Sequence, residues 1–155
     1  MRYVKAPDFP TGGELLDLRG LESAYATGRG SVTLRAKIEL ETAKTGRSRA
    51  SSSTRESLII TEIPYQAVKA RIAKDIADLV EAKRMDGIAD IRDESDRTGM
   101  RLVLDLKKGA DPSLVQNRLL RLTSLQKKIN FNMVAVVEGV PRQVGLKQVR
   151  WRWWW

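Results

Sequence analysis

The chain has 155 residues, of which 42% are hydrophobic and 30% are charged, and it contains neither cysteine nor histidine. This balance predicts one globular domain, and the missing residue types exclude disulfides, thiolate metal sites and catalysis by a histidine base. The net charge of +9, from 28 Lys+Arg against 19 Asp+Glu, suggests an acidic partner such as nucleic acid, unless the protein is merely basic.

The first part of the chain predicts a short helix and a strand. Leu21 to Thr27 has the composition of a helix that is closed by Gly28-Arg29-Gly30. From Ser31 to Leu40, apolar residues alternate with polar ones, and Arg35 and Lys37 are among the polar ones. A period of two predicts a single half-buried strand over this range.

The segment 44–55 is small, polar and basic, which predicts a flexible loop. Two interpretations are open for this loop, a mobile phosphate-binding arm and a solvated hairpin insertion. Ser57 to Ile63 is rich in residues that favour β structure and predicts a second strand that pairs with the first.

The middle of the chain predicts a helix and two strands. From about Gln66 to Lys83, apolar residues recur at helical spacing, and Gly87 is expected to stop this helix. Ile88 to Arg92 and Met100 to Leu106 predict two strands on either side of a polar turn.

The last part of the chain predicts a helix and one more strand. Asp111 followed by Pro112 is typical of a helix start, with an N-cap residue before a proline at the first helical position. The apolar residues assigned to this helix are Leu114, Val115, Leu119, Leu122 and Leu125. Asn132 to Val137 predicts the last strand, before a turn.

This order of elements predicts an α+β fold. It consists of two strand-strand-helix units plus a final strand, which form an antiparallel sheet with helices packed on one face.

The residue inventory argues against catalysis by the chain alone. Histidine-dependent triads are impossible, and no glycine-rich loop leads into the Lys-Ser or Lys-Thr pair of a phosphate-binding loop. Asp90, Asp93, Glu94 and Asp96 form the dense carboxylate group of the sequence, but two arginines interleave with them. Local ion pairing is therefore expected there in place of a metal site.

Cations on the predicted first strand suggest phosphate binding. Arg29, Arg35 and Lys37 are expected on one side of the sheet, where they could follow a duplex backbone without reading bases. The alternative is that these cations pair with glutamates across the hairpin. Lys69 and Arg71, from the polar side of the predicted middle helix, complete the candidate phosphate contacts. The alternative is that the charges on this side of the helix form an ordinary solvated face.

Short segments spread along the chain carry a family resemblance. They are Pro7-Asp8-Phe9-Pro10-Thr11-Gly12-Gly13, Ala24-Tyr25-Ala26-Thr27-Gly28-Arg29-Gly30-Ser31, Glu62-Ile63-Pro64-Tyr65-Gln66, Lys69-Ala70-Arg71, Arg92-Asp93-Glu94-Ser95-Asp96-Arg97 and Gly99-Met100-Arg101. In this order and spacing they resemble the A subunits of DNA gyrase and, more distantly, of topoisomerase IV, both type IIA DNA topoisomerases. The similarity runs from about Val4 to Lys147.

The resemblance implies that residues 1–147 form a domain like the tower of these proteins, which helps to support the gate DNA segment. It implies a parent enzyme that changes DNA topology by ATP-dependent double-strand passage. The implied partners are double-stranded DNA, the gyrase B subunit, and a second copy of the A subunit. The chain itself is expected to bind no cofactor, because ATP and Mg²⁺ would act through the B subunit. The implied location is the bacterial cytoplasm, or a chloroplast or mitochondrion.

The resemblance does not extend to the nucleophile of the family, a tyrosine within Arg-Tyr-Thr-Glu. Here Arg2-Tyr3 is followed by Val4-Lys5, whereas Tyr25 and Tyr65 match tower positions. The chain is therefore expected to be non-catalytic alone. A stand-alone basic DNA-binding domain without catalysis is the alternative.

Residues 148–155 contain all four tryptophans and depart from the family pattern. They predict a tail that is foreign to the family and disordered, or at most a frayed helical end. A membrane-active protein led by this tail is a third hypothesis. No apolar run approaches the ~20 residues that span a bilayer, so stable membrane association is not expected.

Overall fold

The structure, a computed structural model, describes residues 4–45 and 53–151. The strands in these ranges are β1 (Glu14–Leu15), β2 (Arg29–Arg35), β3 (Lys37–Thr45), β4 (Ser53–Glu62), β5 (Ile88–Asp93), β6 (Leu102–Leu106), β7 (Gln126–Asn132), β8 (Val134–Val137) and β9 (Val140–Gln143). The helices are α1 (Arg19–Thr27), α2 (Lys69–Glu81), α3 (Pro112–Leu122) and α4 (Leu146–Trp151). None of the described helices is long and apolar enough to cross a membrane.

The larger sheet is four-stranded and antiparallel, in the order β3-β4-β6-β5. Leu58 pairs with Leu104 and Ile60 with Leu102, so these four leucine and isoleucine side chains share one face. Ile72 and Ile76 of α2 and Val115 and Leu119 of α3 belong to the same buried cluster. The predicted α+β fold, with two strand-strand-helix units and helices on one face, is confirmed for this part of the chain.

The smaller sheet has the order β1-β2-β7 and is also antiparallel. Helix α1 packs against β2 and buries Leu21 and Ala24. It ends where predicted, because Gly28 adopts a left-handed conformation with φ of 84° and donates its N–H to the carbonyl of Ala24. The contact between α1 and β2 is very close, since a Cβ atom at Gly30 would lie 2.1 Å from the carbonyl oxygen of Gly20.

A β-hairpin and a short helix form the last part of the described chain. Strands β8 and β9 pair with each other, and α4 contacts α1. The predicted domain boundary after Lys147 falls inside α4, so residues 148–151 continue that helix. The remainder of the predicted tail, residues 152–155, lies outside the described residues.

The prediction of one strand from Ser31 to Leu40 is wrong. The chain forms β2 and β3 instead, in two different sheets, and the break falls at Ala36, whose N–H donates to the carbonyl of Leu125. A register shift between Lys37 and Ile38 follows directly. Leu40, expected to be buried, is 52% exposed, because β3 is an edge strand that reaches beyond the core there.

The predicted loop 44–55 is too long at both ends. Backbone pairing of β3 with β4 continues out to Thr45 and Ser53, because the hairpin extends beyond the sheet. The central part of the predicted loop, residues 46–52, lies outside the described residues.

Two further boundaries, and the set of buried residues in α3, differ from the sequence predictions. Helix α2 ends before Gly87, because Lys83 already adopts a left-handed φ of 54°. In α3, Leu114 and Leu122 are 51% and 42% exposed, and Leu120 is buried in their place. The predicted strand from Asn132 to Val137 is broken at Met133, whose N–H donates to the carbonyl of Gly28. Asn132 is the last residue of β7, and β8 begins after Met133.

Candidate nucleic-acid interface

One face of the ribbon formed by β2 and β7 is polar along its whole length. Alternate residues of a strand point to the same face, and the register pairs Arg29 with Asn132 and Arg35 with Gln126. We call this surface the ribbon face. Its residues are Arg29, Ser31, Thr33 and Arg35 of β2 and Gln126, Lys128, Asn130 and Asn132 of β7.

The opposite side of the same ribbon is apolar and holds it in place. Val32 and Leu34 are 1% and 0% exposed, and Val32 pairs with Ile129. Phe131 continues this apolar side, and its ring lies 6.5 Å from that of Phe9. Burial of one side therefore fixes which residues of β2 and β7 face outward.

The ribbon face presents three cations together with neutral hydrogen-bonding groups. Arg29 and Lys128 are exposed and form no ion pair with any described residue. Arg35 is half-buried, and its Nε donates a hydrogen bond of 3.1 Å to Oε1 of Gln126. Arg, Lys, Ser, Thr, Asn and Gln side chains are the groups that proteins use to contact nucleic acid phosphates.

Lys37, the third predicted cation of the first strand, does not share this face. It lies in the other sheet, on β3, where its Nζ is 3.1 Å from Oε1 of Glu39. The hydrogen bond to Glu39 raises the pKa of Lys37, and the charges of Glu39, Glu62 and Glu14 raise it further. The prediction that three cations lie on one side of one sheet is therefore wrong. Lys37 pairs with Glu39 of its own strand, whereas the predicted alternative was pairing with a glutamate across the hairpin.

The two candidates of α2 lie near its beginning. The Nζ of Lys69 is 2.7 Å from Oδ2 of Asp93, at the end of β5. This hydrogen bond, together with those from Ser95, lowers the pKa of Asp93 to about 2. Arg71 is exposed and forms no ion pair with any residue of the described ranges.

The outward face of the larger sheet carries a network of ion pairs. Asp105, which is 6% exposed, accepts hydrogen bonds from Ser57 at 2.7 Å and from Arg92. Burial alone would raise the pKa of Asp105, but Ser57 and Arg92 stabilise the carboxylate, and its pKa is lowered. Arg92 also contacts Glu94, which in turn contacts Arg101.

The four clustered carboxylates of the sequence all accept hydrogen bonds or form ion pairs within the chain. Asp93 contacts Lys69, Glu94 contacts two arginines, and Asp96 accepts bonds from Thr98 and Gly99. The fourth carboxylate, Asp90, accepts the N–H of Ile91. The predicted local ion pairing with an interleaved arginine is confirmed for Arg92.

The described tyrosines have structural contacts. Burial raises the pKa of Tyr25, which is the opposite of what activates a phenol as a nucleophile. The ring of Tyr65 lies 5.7 Å from that of Phe9. Tyr3 lies outside the described residues.

Sequence reasoning missed half of the ribbon face. Gln126, Lys128, Asn130 and Asn132 were not candidates, because β7 was not predicted. The signal was present, since polar residues at 126, 128, 130 and 132 alternate with Ile129 and Phe131. Lys127, a polar residue on the apolar side, interrupts that alternation.

Comparison with known proteins agrees with the motifs. A family model for the A subunit of DNA gyrase/topoisomerase IV matches residues 1–154. The chain is 49% identical over 149 residues to a probable chloroplastic/mitochondrial DNA gyrase A subunit of Oryza sativa. It is 46% identical over 149 residues to the DNA gyrase A subunit of Clostridium acetobutylicum and 42% identical over 149 residues to the DNA topoisomerase 4 A subunit of Staphylococcus epidermidis.

These alignments cover 96% of the chain but only 15% of the rice protein, 17% of the clostridial protein and 18% of the staphylococcal protein. The chain therefore corresponds to a limited part of its relatives. Whether residues 148–155 are foreign to the family stays a prediction, although the family match runs through residue 154. The resemblance predicted from the sequence is confirmed, and the chain belongs to the A-subunit family of DNA gyrase and topoisomerase IV.

Proposed function

We propose that the chain is a tower-like segment of the DNA-binding and cleaving A subunit of DNA gyrase. In this role it supports the gate DNA segment by phosphate contacts and does not cleave DNA alone. The observation that carries the proposal is the ribbon face, which gathers three cations and five neutral polar side chains on one surface.

The chemistry of the ribbon face suits a duplex backbone. Arg29, Arg35 and Lys128 supply positive charge, while the serine, threonine and amide side chains between them add hydrogen-bonding groups. Arg29 and Arg35 are six residues apart on β2, which corresponds to about 20 Å along an extended strand. A surface of this length can contact several phosphates without reading base edges, so binding should be tolerant of sequence.

The remaining candidates contribute less to this proposal. Lys37 and Lys69 are already paired with Glu39 and Asp93, so a phosphate would have to compete with these carboxylates. Arg71 is exposed and stays a candidate phosphate contact from α2.

The proposed parent complex contains double-stranded DNA, the gyrase B subunit, and a second copy of the A subunit. The family resemblance assigns the use of ATP and Mg²⁺ in this complex to the B subunit. In this chain, the dense carboxylates are engaged in hydrogen bonds and ion pairs with its own residues. The names of the plant relatives, chloroplastic/mitochondrial, make an organelle a candidate location, and the bacterial relatives make the bacterial cytoplasm the other.

Salt-dependent binding to a short mixed-sequence duplex tests the proposal. Changing Arg29, Arg35 and Lys128 together to glutamine should lower the slope of log affinity against log salt by about three, if each contacts one phosphate. The matched control changes three exposed cations elsewhere, Lys107, Lys108 and Arg118, and therefore removes the same net charge.

The control should leave the slope nearly unchanged. Equal slopes for the two triple variants would show that the ribbon face makes no local phosphate contacts, and the proposal would then fail.

A further inference from the structure

The side chain of Arg35 is held in a way that differs from that of two arginines at the larger sheet. Arg92 and Arg101 direct their terminal nitrogens to carboxylates, at 2.7–3.1 Å in the contacts with Glu41, Glu94 and Asp105. Arg35 instead donates from Nε to a neutral amide, Oε1 of Gln126. Its two terminal nitrogens form no ion pair or hydrogen bond with any residue of the described ranges.

The backbone makes this contact possible. Arg35 and Gln126 are directly opposite each other in the β2–β7 register, and both are half-buried. On the other side, Glu14 of β1 is the residue opposite Arg35, yet the guanidinium is bonded to the glutamine and not to that carboxylate. A neutral partner orients the guanidinium without neutralising its charge, and it leaves the fork of terminal N–H groups available for an oxyanion.

We propose that Gln126 is a positioning residue that pre-orders Arg35 for a bidentate contact with a DNA phosphate. This inference rests on the proposed function of the ribbon face and names a residue that the phosphate contacts alone do not require. Gln126 carries no charge, so it does not change the number of phosphates that the protein neutralises. It raises the affinity instead, because Arg35 is already held in place before DNA binds and less side-chain entropy is lost on binding.

The test is a double-mutant cycle on the 155-residue chain, with affinity for a short mixed-sequence duplex measured over a range of salt concentrations. Gln126→Met removes the acceptor at similar size, and it should weaken binding about two- to tenfold with an unchanged salt slope. In the Arg35→Gln background, the same change should have no further effect. An equal loss in both backgrounds, or no loss in either, would overturn the inference.

Gln126→Glu separates positioning of Arg35 from a merely structural role and serves if Gln126→Met is poorly folded. It keeps an acceptor for Nε of Arg35, so thermal stability should be maintained. Its charge should neutralise Arg35, weaken duplex binding and lower the salt slope by about one. Unchanged binding by a folded Gln126→Glu protein would contradict the inference.

The two proposals fail in different ways. If the ribbon face does not bind DNA, the Arg29, Arg35 and Lys128 variants keep the slope of the original protein. If only the role of Gln126 is wrong, those variants lower the slope while the cycle shows no coupling between Gln126 and Arg35.

Discussion

The contact between α1 and β2 makes Gly30 a sensitive position for stability. A Cβ atom added there would lie 2.1 Å from the carbonyl oxygen of Gly20, 2.7 Å from the nitrogen of Ala24 and 2.8 Å from its Cβ. Two of these are backbone atoms of a helix, which cannot rotate away as a flexible side chain does. Relief therefore requires α1 to move by about 1 Å from β2, since carbon and oxygen atoms rarely approach closer than about 3.3 Å.

The cost of Gly30→Ala follows from this shift. Overpacking of a buried contact costs about 1–3 kcal/mol, and backbone contacts of this kind belong at the upper end of that range. Replacing glycine by alanine also restricts the unfolded chain, which offsets about 0.4–1 kcal/mol. The free energy of unfolding should therefore fall by about 2 kcal/mol, which for a domain of this size lowers Tm by about 4–8 °C.

Thermal unfolding of Gly30→Ala and Gly99→Ala, followed by circular dichroism, is the assay. Gly99 is the matched control, because no described atom lies within 4 Å of a Cβ there and its backbone is not left-handed. The control should leave Tm unchanged or slightly higher. A Tm for Gly30→Ala that equals that of Gly99→Ala would refute the close packing of α1 on β2.

The ion pairs of Arg92, of Arg101 and of Asp93 give further predictions. Arg92→Leu leaves the buried carboxylate of Asp105 with Ser57 as its remaining side-chain partner. Because Arg92 is itself 47% exposed, the free energy of unfolding should fall by about 2 kcal/mol, which is less than the ~3–5 kcal/mol lost when a fully buried pair is broken. Arg101→Leu, whose carboxylate partners are exposed, should lower the free energy of unfolding less than Arg92→Leu does, and equal losses for the two variants in urea unfolding would contradict this ranking. The pKa of Asp93 is about 2 in the folded chain, below its unfolded value of about 3.9, so its contribution to stability is present above about pH 4 and is lost as pH falls toward 2. The difference in free energy of unfolding between the original protein and Asp93→Asn should shrink as the pH falls over that window. A difference that is constant with pH would exclude the Lys69–Asp93 ion pair as the source of that difference.

Much of the fold follows from local patterns in the sequence. The Asp111-Pro112 start of α3 is confirmed, because the Asp111 side chain accepts hydrogen bonds from the N–H groups of Ser113 and Leu114. The end of α1 at Gly28 and the pairing of the strand around Leu58 with its predecessor are confirmed as well. In each case the determining interaction lies within a few residues or follows directly from alternation.

The break at Ala36 could not be found in this way. Val32, Leu34 and Ala36 are all buried, so the alternation of the sequence continues unchanged through the point where the chain leaves one sheet for another. The cause is a long-range contact, the hydrogen bond from the N–H of Ala36 to Leu125. Local periodicity reports which side of a strand is buried, but it does not identify the sheet to which the strand belongs.

The candidate interface was predicted in part for the same reason. The spacing of Arg29 and Arg35 places them on one face of a strand, and the structure agrees. Lys128 and Gln126 join that face only because β7 pairs with β2, across about 90 residues of intervening sequence. Lys69 was predicted without its partner, since Asp93 is distant in sequence and lies 2.7 Å away only in the folded chain.

The most direct test of the account is to map the duplex-binding surface by NMR. Short mixed-sequence duplex would be titrated into the labelled chain, and the backbone amide resonances would be followed residue by residue. We expect the largest shifts in β2 and β7, over residues 29–35 and 126–132, while the resonances of α3 stay nearly unchanged. Shifts concentrated on α3, or spread evenly over the basic surface, would contradict the assignment of the ribbon face as the DNA contact.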